Sequence, residues 1–306
     1  MIIASIDIGT NTVLLLIAEI SPDKKIKTIS NEYRIPRIGK GLLPGHPIER
    51  YAQGILFKVL KEYEQIIKDN DCETVLVTAT NAFRIASNSK EISHRIREQF
   101  GWNVNIVLGE EEAYLSYLGA VSGIQSNNDI LVIDIGGGSS ELIFGETDFI
   151  KYRKSFQTGV VSGSEKFLKS DPPTHIQLQE FENHLNHTFE ELPLLNYAPT
   201  ETIALAGTPT TLACMSLNID KYDESLIEGF ALGYAEISNI KRKISSLSSL
   251  EILNNYSSVV KGREDLILAG SIILLKIIKL LKIDNIRVST RGIRYGAIIR
   301  EIMINN

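Results

Sequence analysis

The chain has 306 residues, enough for about two domains of ordinary size. Hydrophobic residues make up 43% and charged residues 23% of it, a composition that excludes an intrinsically disordered chain. Its 32 basic and 37 acidic residues give a net charge of -5, which excludes a general basic surface for nucleic acid. Any polyanionic ligand must therefore be held by a local group of cations, and no nucleic-acid partner is expected.

The first half of the chain alternates strands with helices. Apolar residues recur at helical spacing over 48–68, and β-branched residues favour a strand over 74–79. The predicted elements are strands Ile2–Ile8, Val13–Ile20 and Lys25–Ile35, helix Ile48–Lys68, strand Thr74–Ala79, helix Asn81–Phe100, strand Val104–Leu108 and helix Glu110–Ser122. The polar segment Gly123–Asp129 predicts a junction, so the first domain is expected to span residues 1–124.

The second half begins in the same order and adds helices. Its predicted elements are strands Ile130–Ile135, Glu141–Phe144 and Phe149–Ser155, helical material over Val160–Leu192, strand Thr202–Leu205, helix Thr210–Leu217, further helices to Leu281, strand Ile286–Val288 and helix Ile293–Ile302. The second domain is expected to span residues 125–306 and to carry helical insertions.

The amino-acid sequence at the start of the first half also recurs at the start of the second half. Residues 5–12, SIDIGTNT, correspond to residues 132–139, VIDIGGGS. Both consist of an apolar strand, the tripeptide Asp-Ile-Gly, small residues and a further strand. This repeat predicts two duplicated domains that face each other across a cleft, where both Asp-Ile-Gly turns converge.

The sequence gives no sign of a membrane segment or of a cysteine framework. The N-terminus has no basic start, and three lysines interrupt the longest apolar stretch, Leu266–Ile283. The two cysteines cannot form a disulfide framework or a four-ligand zinc site, and the five histidines lack the HExxH spacing. These features predict a cytoplasmic protein with no membrane partner.

The glycine-rich turns are candidate phosphate-binding loops. A tight turn can present consecutive backbone N–H groups to an anion; glycine allows close approach, and some positions in such a turn need positive φ. One turn of this kind could be an ordinary hairpin. Two related turns and a third at Ala206–Thr211, which opens a helix, favour phosphate binding. The predicted phosphate-binding residues in these turns are Gly9, Thr10, Asn11, Thr12, Gly136, Gly137, Gly138, Ser139, Gly207 and Thr208.

Two aspartates end the predicted strands that precede the first two turns. Asp7 and Asp134 occupy matching places in the repeat. A carboxylate at the end of a buried strand needs a partner, and a hydrated Mg²⁺ shared with phosphate oxygens suits it. Either aspartate alone is equally well explained as the cap of its own turn. The matched pair favours Mg²⁺.

Three consecutive glutamates stand at a helix start in Gly109–Ala113. Acidic residues are common there because of the helix dipole. Helical spacing places Glu112 over Ser116 and Gly119, small residues that leave room for a ligand. A carboxylate beside a phosphate can accept a proton from an attacking water, so Glu112 is the predicted general base. Glu141, just after the second turn, is the predicted second carboxylate.

Phosphate binding also requires cations. Arg37 lies in the segment Arg37–Leu42, and Arg84 follows Thr80 and Asn81 at a predicted helix start. A single arginine is more often a solvated surface residue than a ligand. Arg84 lies at the start of a predicted helix, and Arg37 lies in a glycine-rich loop. These two arginines are therefore the predicted phosphate-binding cations.

The ordered motifs together resemble a known family. The segments that carry the resemblance are Asp7–Thr12, Arg37–Leu42, Ala79–Arg84, Gly109–Ala113, Asp134–Glu141, Ala206–Thr211 and Ser289–Gly296. They are similar to those of the exopolyphosphatase / guanosine pentaphosphate phosphatase (Ppx/GppA) family, in the acetate and sugar kinase, Hsp70 and actin superfamily. The resemblance spans essentially the whole chain. It implies an α/β fold of two duplicated ribonuclease H-like domains with an interdomain cleft.

The resemblance implies that water hydrolyses a terminal phosphoanhydride with the help of Mg²⁺. The family's catalytic glutamate falls on Glu112, its second acidic residue on Glu141 and its phosphate-binding arginine on Arg84. Asp134 and Glu141 would help to hold the metal or its waters, and the glycines of 136–138 would contact phosphate.

The sequence departs from the family pattern at three positions. Leu14 and Tyr114 stand where relatives commonly carry arginine, and Tyr295 stands where they commonly carry glutamate. Longer relatives also append a helical C-terminal region, whereas this chain ends at Asn306 and is expected to hold only the two-domain catalytic core.

Other functions stay open at this point. A kinase of the same superfamily would move phosphate from ATP to a small acceptor, although the chain is short for a sugar kinase. A non-catalytic protein would bind a nucleotide or alarmone without turnover. The sequence does not choose between polyphosphate and guanosine pentaphosphate as substrate, and a homodimer is compatible with it.

Overall fold

The computed structural model describes residues 1–122, 124, 129–147 and 149–304. It divides into two compact units, one formed by Met1–Ser122 with Arg291–Asn306 and the other by Gly123–Thr290. Each unit has one sheet with helices packed against it, which confirms the predicted α/β class. The predicted junction at 123–129 falls mostly outside the described residues.

The first unit is built on a five-stranded sheet. Its strands are β1 (Ile2–Ile8), β2 (Val13–Ile20), β3 (Ile26–Arg34), β4 (Thr74–Ala79) and β5 (Val104–Ile106), and its helices are α1 (Arg50–Asp69), α2 (Asn81–Ile85), α3 (Ser89–Phe100), α4 (Gly109–Val121) and, at the end of the chain, α12 (Ile293–Ile304). The strand order is β3-β2-β1-β4-β5.

The second unit is built on a six-stranded sheet. Its strands are β6 (Ile130–Ile135), β7 (Ser140–Glu146), β8 (Phe149–Phe156), β9 (Glu201–Leu205), β10 (Ala231–Gly233) and β11 (Asn285–Val288), and its helices are α5 (Val160–Phe167), α6 (His175–Thr188), α7 (Gly207–Leu217), α8 (Glu224–Ile227), α9 (Tyr234–Ile244), α10 (Ser249–Tyr256) and α11 (Ile267–Leu280). Short 3₁₀ segments occupy Leu192–Leu195 and Ser257–Val260. The strand order is β10-β11-β9-β6-β7-β8.

The two sheets share one topology, as the repeat in the sequence predicts. In the first unit β1, β2 and β3 pair antiparallel in turn, and β4 and then β5 add in parallel on the other side of β1. In the second unit β6, β7 and β8 pair antiparallel, and β9 and then β11 add in parallel beside β6. The second sheet extends this plan with β10, which pairs antiparallel with β11.

The C-terminal helix belongs to the first unit, which corrects the domain prediction. The sequence places residues 125–306 in one domain, but Arg291–Asn306 groups with Met1–Ser122. The physical reason is burial: Tyr295 and Ile298 of α12 pack in one cluster with Ile3 and Leu16 of β1 and β2. Helical periodicity shows that this segment is amphipathic, but it does not show which sheet the apolar face covers.

The predicted helix over 81–100 is divided into α2 and α3. Ala86 has extended backbone angles, and the side chain of Asn88 pairs with the backbone of Ile48. Its Oδ1 accepts from the Ile48 N–H at 2.9 Å, and its Nδ2 donates to the Ile48 carbonyl at 3.1 Å. This long-range pairing replaces the local hydrogen bonds of a continuous helix.

The long apolar segment near the C-terminus forms α11, which lies in the core of the second unit. Lys276 lies on the partly solvent-exposed side of this helix, where its ammonium group donates to the Asn186 side chain at 2.6 Å. None of the described helices combines the length and the apolar character that crossing a bilayer requires.

A buried tyrosine ties α1 to β2, and its removal tests this packing. The Tyr63 hydroxyl donates to the Val13 carbonyl at 2.8 Å. Burial raises the pKa of Tyr63, so the hydroxyl keeps its proton at ordinary pH. We expect Tyr63→Phe to lower the free energy of unfolding by about 1–3 kcal/mol, because the carbonyl loses its partner. Urea unfolding measures this; Tyr51→Phe on the exposed face of the same helix is the control and should leave the midpoint unchanged.

Candidate active site

The carboxyl ends of β1 and β4 form the floor of the site in the first unit. These strands are parallel neighbours, and in α/β sheets ligands bind outside such strand ends. Asp7 is the second-last residue of β1, and the turn Gly9–Thr12 follows that strand. The Thr80 N–H donates to the Ile8 carbonyl at 3.2 Å, so the segment after β4 lies directly beside this turn.

A second loop covers the Gly9–Thr12 turn. The Arg37 N–H donates to the Asn11 carbonyl at 3.0 Å, and the Gly39 N–H donates to the Thr10 carbonyl at 2.9 Å. A Cβ at Gly39 would overlap the Thr10 side chain, so glycine is required for this approach. Arg37 itself has a φ of 54°. The fold thus brings the Arg37 backbone to the first turn, through contacts that the sequence does not reveal.

Glu112 and Arg84 form a nearly buried ion pair at the same edge. The chain after β5 returns to this edge because the Val107 N–H donates to the Ala79 carbonyl at 3.0 Å. Arg84 Nη1 donates to Glu112 Oε2 and, at 3.0 Å, to the Val107 carbonyl. The exposed fractions of the two side chains are 12% and 7%. Because the Arg84 guanidinium donates a hydrogen bond to Glu112, it favours the ionised form of this carboxylate, which is the form that a general base needs.

Two buried asparagines add polar groups beside the turn. Asn11 was predicted from the sequence, whereas Asn81 lies in the Ala79–Arg84 motif and was missed as a site residue. Among the described residues, neither Oδ1 atom has a hydrogen-bond partner. Buried polar atoms in native proteins normally have partners, so these amides fit a polar ligand or its bound waters.

A Cβ would be crowded at the first glycine of each of the two related turns. The expectation of positive φ is not met at Gly9 or Gly136, since neither lies in the left-handed region. A Cβ at Gly9 would lie 2.9 Å from the Thr12 carbonyl oxygen, and one at Gly136 would lie 3.1 Å from that of Ser139. These same carbonyls close the turns by accepting from the two glycine N–H groups, at 3.0 and 2.9 Å.

The start of α5 supports the turn of the second unit. The N–H groups of Val160 and Val161 donate to the carbonyls of Gly136 and Gly137, at 3.0 and 2.8 Å. The C=O and N–H of a trans peptide point in opposite directions. The N–H groups of Gly137 and Gly138 therefore point away from α5, an arrangement that suits an anion on that side.

Two predicted metal-binding carboxylates lie opposite each other in this unit. Asp134 of β6 pairs directly with Glu141 of β7, so the two side chains share one face of the sheet. Both are buried, and Ser155 Oγ donates to Glu141 Oε1 at 2.7 Å. Adjacent carboxylates repel each other when both are ionised, and a divalent cation relieves that repulsion.

This carboxylate pair fits the small protein ligand set that Mg²⁺ uses. Among the described residues, no three His, Cys, Asp or Glu side chains form a group that could hold a metal ion alone. Mg²⁺ usually keeps several waters and takes one or two carboxylates together with substrate phosphates. Asp134 and Glu141 are suitable for that role.

The third predicted turn opens α7, which begins three residues before the predicted start. Ala206 has a φ of 72°, and Gly207 is the first residue of the helix. A Cβ at Gly207 would lie 2.8 Å from the Arg263 guanidinium carbon, and Arg263 Nη1 donates to Thr211 Oγ1 at 3.3 Å. The structure therefore places a cation at this helix start that the sequence predictions do not include. Thr208 is buried there.

The predicted residues thus form one group in each unit. The group in the first unit comprises Asp7, Gly9, Thr10, Asn11, Thr12, Arg37, Arg84 and Glu112. The group in the second unit comprises Asp134, Gly136, Gly137, Gly138, Ser139, Glu141, Gly207 and Thr208. Their roles in binding and catalysis stay predictions.

Comparison with known proteins identifies relatives over the full length. The family model described as the Ppx/GppA phosphatase family matches residues 16–303. Exopolyphosphatase 2 of Mycobacterium tuberculosis is 29% identical and covers 96% of both chains. A crystal structure of the Aquifex aeolicus member of the Ppx/GppA protein family has 31% identity and a TM-score of 0.85, and covers 100% of this chain and 99% of the other.

Two longer relatives contain a matching part. The bifunctional 3-dehydroquinate synthase/phosphatase of Fusobacterium nucleatum is 30% identical over 98% of this chain, which spans 46% of that protein. The guanosine-5'-triphosphate,3'-diphosphate pyrophosphatase of Aliivibrio fischeri is 25% identical over 96% of this chain, which spans 58% of that protein.

Proposed function

The chain belongs to the Ppx/GppA phosphatase family, and we propose that it is a phosphohydrolase that removes the terminal phosphate of inorganic polyphosphate, guanosine pentaphosphate or both. The observation that carries this proposal is the nearly buried Arg84–Glu112 pair beside the Gly9–Thr12 turn. It supplies a base and a cation at one place, as attack of water on a phosphate requires. The names of the relatives, exopolyphosphatase and guanosine-5'-triphosphate,3'-diphosphate pyrophosphatase, support both substrates.

In the proposed reaction, a water oxygen attacks the terminal phosphorus in line with the bridging oxygen. The bond from phosphorus to the bridging oxygen breaks, and its electron pair stays on the shortened substrate. Glu112 accepts a proton from the attacking water, and Arg84 offsets charge on the transferred group. The N–H groups of Gly137 and Gly138 orient phosphate oxygens. Such positioning and electrostatic stabilisation supply much of the acceleration in phosphoryl transfer.

We further propose that Mg²⁺ is the cofactor, with Asp134 and Glu141 holding it or its waters, and with Asp7 as a further carboxylate. When bound, Mg²⁺ would neutralise charge on the phosphate oxygens. The adjacent carboxylates of Asp134 and Glu141 support this assignment because a cation relieves their repulsion.

The metal assignment predicts a specific defect for Glu141→Gln. We expect the Mg²⁺ concentration for half-maximal activity to rise by about tenfold to a hundredfold, because a ligand or its hydrogen-bond partner is lost. A Mg²⁺ titration of phosphate release measures this. Glu146→Gln, at the exposed end of the same strand, is the matched control and should leave the titration unchanged. An unchanged titration for Glu141→Gln would remove Glu141 from the metal site.

One assay tests the proposed function against its alternatives. Phosphate release is measured on polyphosphates of several lengths, guanosine pentaphosphate and ATP, with and without Mg²⁺. Mg²⁺-dependent release from the first two substrates supports the proposal. Transfer of labelled phosphate from ATP to a small acceptor would instead indicate a kinase, and calorimetric binding without release would indicate a sensor. A cytoplasmic location, the absence of a nucleic-acid partner and a homodimer remain predictions of the sequence.

A further inference from the structure

The C-terminal helix α12 packs along α4, the helix that carries Glu112, in a regular antiparallel register. A Cβ at Gly119 of α4 would lie 2.9 Å from the carbonyl carbon of Gly292, and closer still to its oxygen. One turn further along α12, a Cβ at Gly296 would lie 2.6 Å from the carbonyl carbon of Leu115. The backbones therefore touch at both places, which only glycine permits.

The next turn continues the same register with an ion pair. Arg300 Nη1 donates to Glu111 Oε1 at 2.5 Å. Residues 292, 296 and 300 of the C-terminal segment thus meet 119, 115 and 111 in steps of four, the spacing of one helical face. The last contact reaches the first turn of α4, at the residue directly before Glu112.

The other face of α12 is fixed to the sheet. Arg294 is buried and donates to the Leu15 carbonyl at 3.1 Å and to the Asn31 side chain. The Tyr295 hydroxyl shares a hydrogen bond of 2.7 Å with Thr28 Oγ1. These contacts attach α12 to β2 and β3, so α12 links the sheet to α4 through polar bonds on one side and backbone contact on the other.

We propose that α12 positions Glu112, and that Gly296 is the positioning residue on which this depends. The inference rests on the proposed function of Glu112 as the base. A side chain at position 296 forces α4 away from α12 and so shifts the Glu112 carboxylate relative to Arg84, which lies on α2. A displacement of about 1 Å at a catalytic group lowers a rate by as much as about a hundredfold.

The test compares Gly296→Ala with Gly54→Ala. Gly54 lies in α1, and a Cβ there meets nothing within 4 Å, so the control adds the same methyl group to a helix without a clash. We expect Gly296→Ala to lower kcat by about tenfold to a hundredfold with KM nearly unchanged, and Gly54→Ala to change neither. Circular dichroism and the melting temperature show whether each variant is folded.

A double-mutant cycle with Glu112→Gln separates positioning from a general structural effect. If Gly296 acts through Glu112, adding Gly296→Ala to Glu112→Gln changes the residual rate by a factor of about one. An equal loss in both backgrounds, or full activity of folded Gly296→Ala, overturns the inference. If Glu112→Gln itself stays active, the proposed base is wrong and the inference fails with it, an outcome distinct from the first two.

Arg300→Met keeps the inference testable if Gly296→Ala does not fold. This change removes the ion pair to Glu111 without adding bulk between the helices. We expect kcat to fall by about twofold to fivefold, the range that a partly exposed ion pair allows. The same change in the Glu112→Gln background should have no effect. An unaltered kcat in the otherwise wild-type protein overturns the inference.

Discussion

Glu112→Gln is expected to lower kcat by about 10²–10⁴-fold in a protein that stays folded. Glutamine has nearly the same shape and can still accept a hydrogen bond from Arg84, but it cannot take a proton from water. The Glu112 side chain is only 7% exposed, so bulk water does not easily replace it as the base. Steady-state phosphate release on polyphosphate, at saturating Mg²⁺, measures the effect.

The neighbouring glutamate gives the matched control for this experiment. Glu110 lies in the same first turn of α4 but is exposed, and Glu110→Gln removes the same charge from the helix start. We expect it to leave kcat unchanged. If folded Glu112→Gln keeps more than about a tenth of the wild-type rate, general base catalysis by this residue is excluded, because that role supplies at least about a hundredfold.

Arg84→Gln is expected to lower kcat/KM by about 10³-fold. This is the lower end of the range expected when an arginine that stabilises a transferring phosphoryl group is lost. Arg84→Gln removes two contacts of the guanidinium together, one to the Glu112 carboxylate and one to the Val107 carbonyl. Arg84→Lys retains the charge but not the planar fork, so we expect an intermediate loss.

The control for Arg84 is an arginine of the same unit outside the site. Arg97 is exposed on α3, and Arg97→Gln should leave kcat/KM unchanged while making the same change in net charge. Equal activities of Arg84→Gln and Arg97→Gln would show that Arg84 stabilises neither the base nor the phosphate. Melting temperatures of the three variants show whether a loss of activity in Arg84→Gln or Arg84→Lys comes from unfolding, because loss of the contact to the Val107 carbonyl lowers stability.

The duplication is a structural repeat whose two copies carry different side-chain pairs at matching positions. In the second unit Asp134 lies opposite Glu141, whereas in the first unit Asp7 lies opposite Leu14. The paired carboxylates therefore occur in only one of the two copies of this hairpin. The register explains why a matched Asp in both motifs does not imply matched metal sites.

The strongest sequence predictions rest on short-range chemistry. The strand, Asp-Ile-Gly turn and second strand recur in both halves, and each copy folds as predicted into two strands joined by a tight turn, because turn residues and continuous apolar runs act locally. Helical spacing selected Glu112 from three adjacent glutamates because Ser116 and Gly119 were expected to leave room for a ligand. That expectation is wrong at Gly119, where the backbone of Gly292 fills the space. The structure places Glu112 in the buried pair with Arg84, while Glu111 pairs with Arg300 instead.

Tertiary structure decided the features that depend on residues far apart in the chain. Asn88 interrupts a predicted helix because it pairs with Ile48, and Arg263 reaches the start of α7 by packing over Gly207. The last helix joins the first unit because its apolar face fits β1, β2 and α4. Periodicity shows that a segment has an apolar face, but shape and backbone contact decide what that face covers. The sequence by itself therefore determined the repeat, the turns and the candidate base, whereas long-range packing determined what holds that base in place.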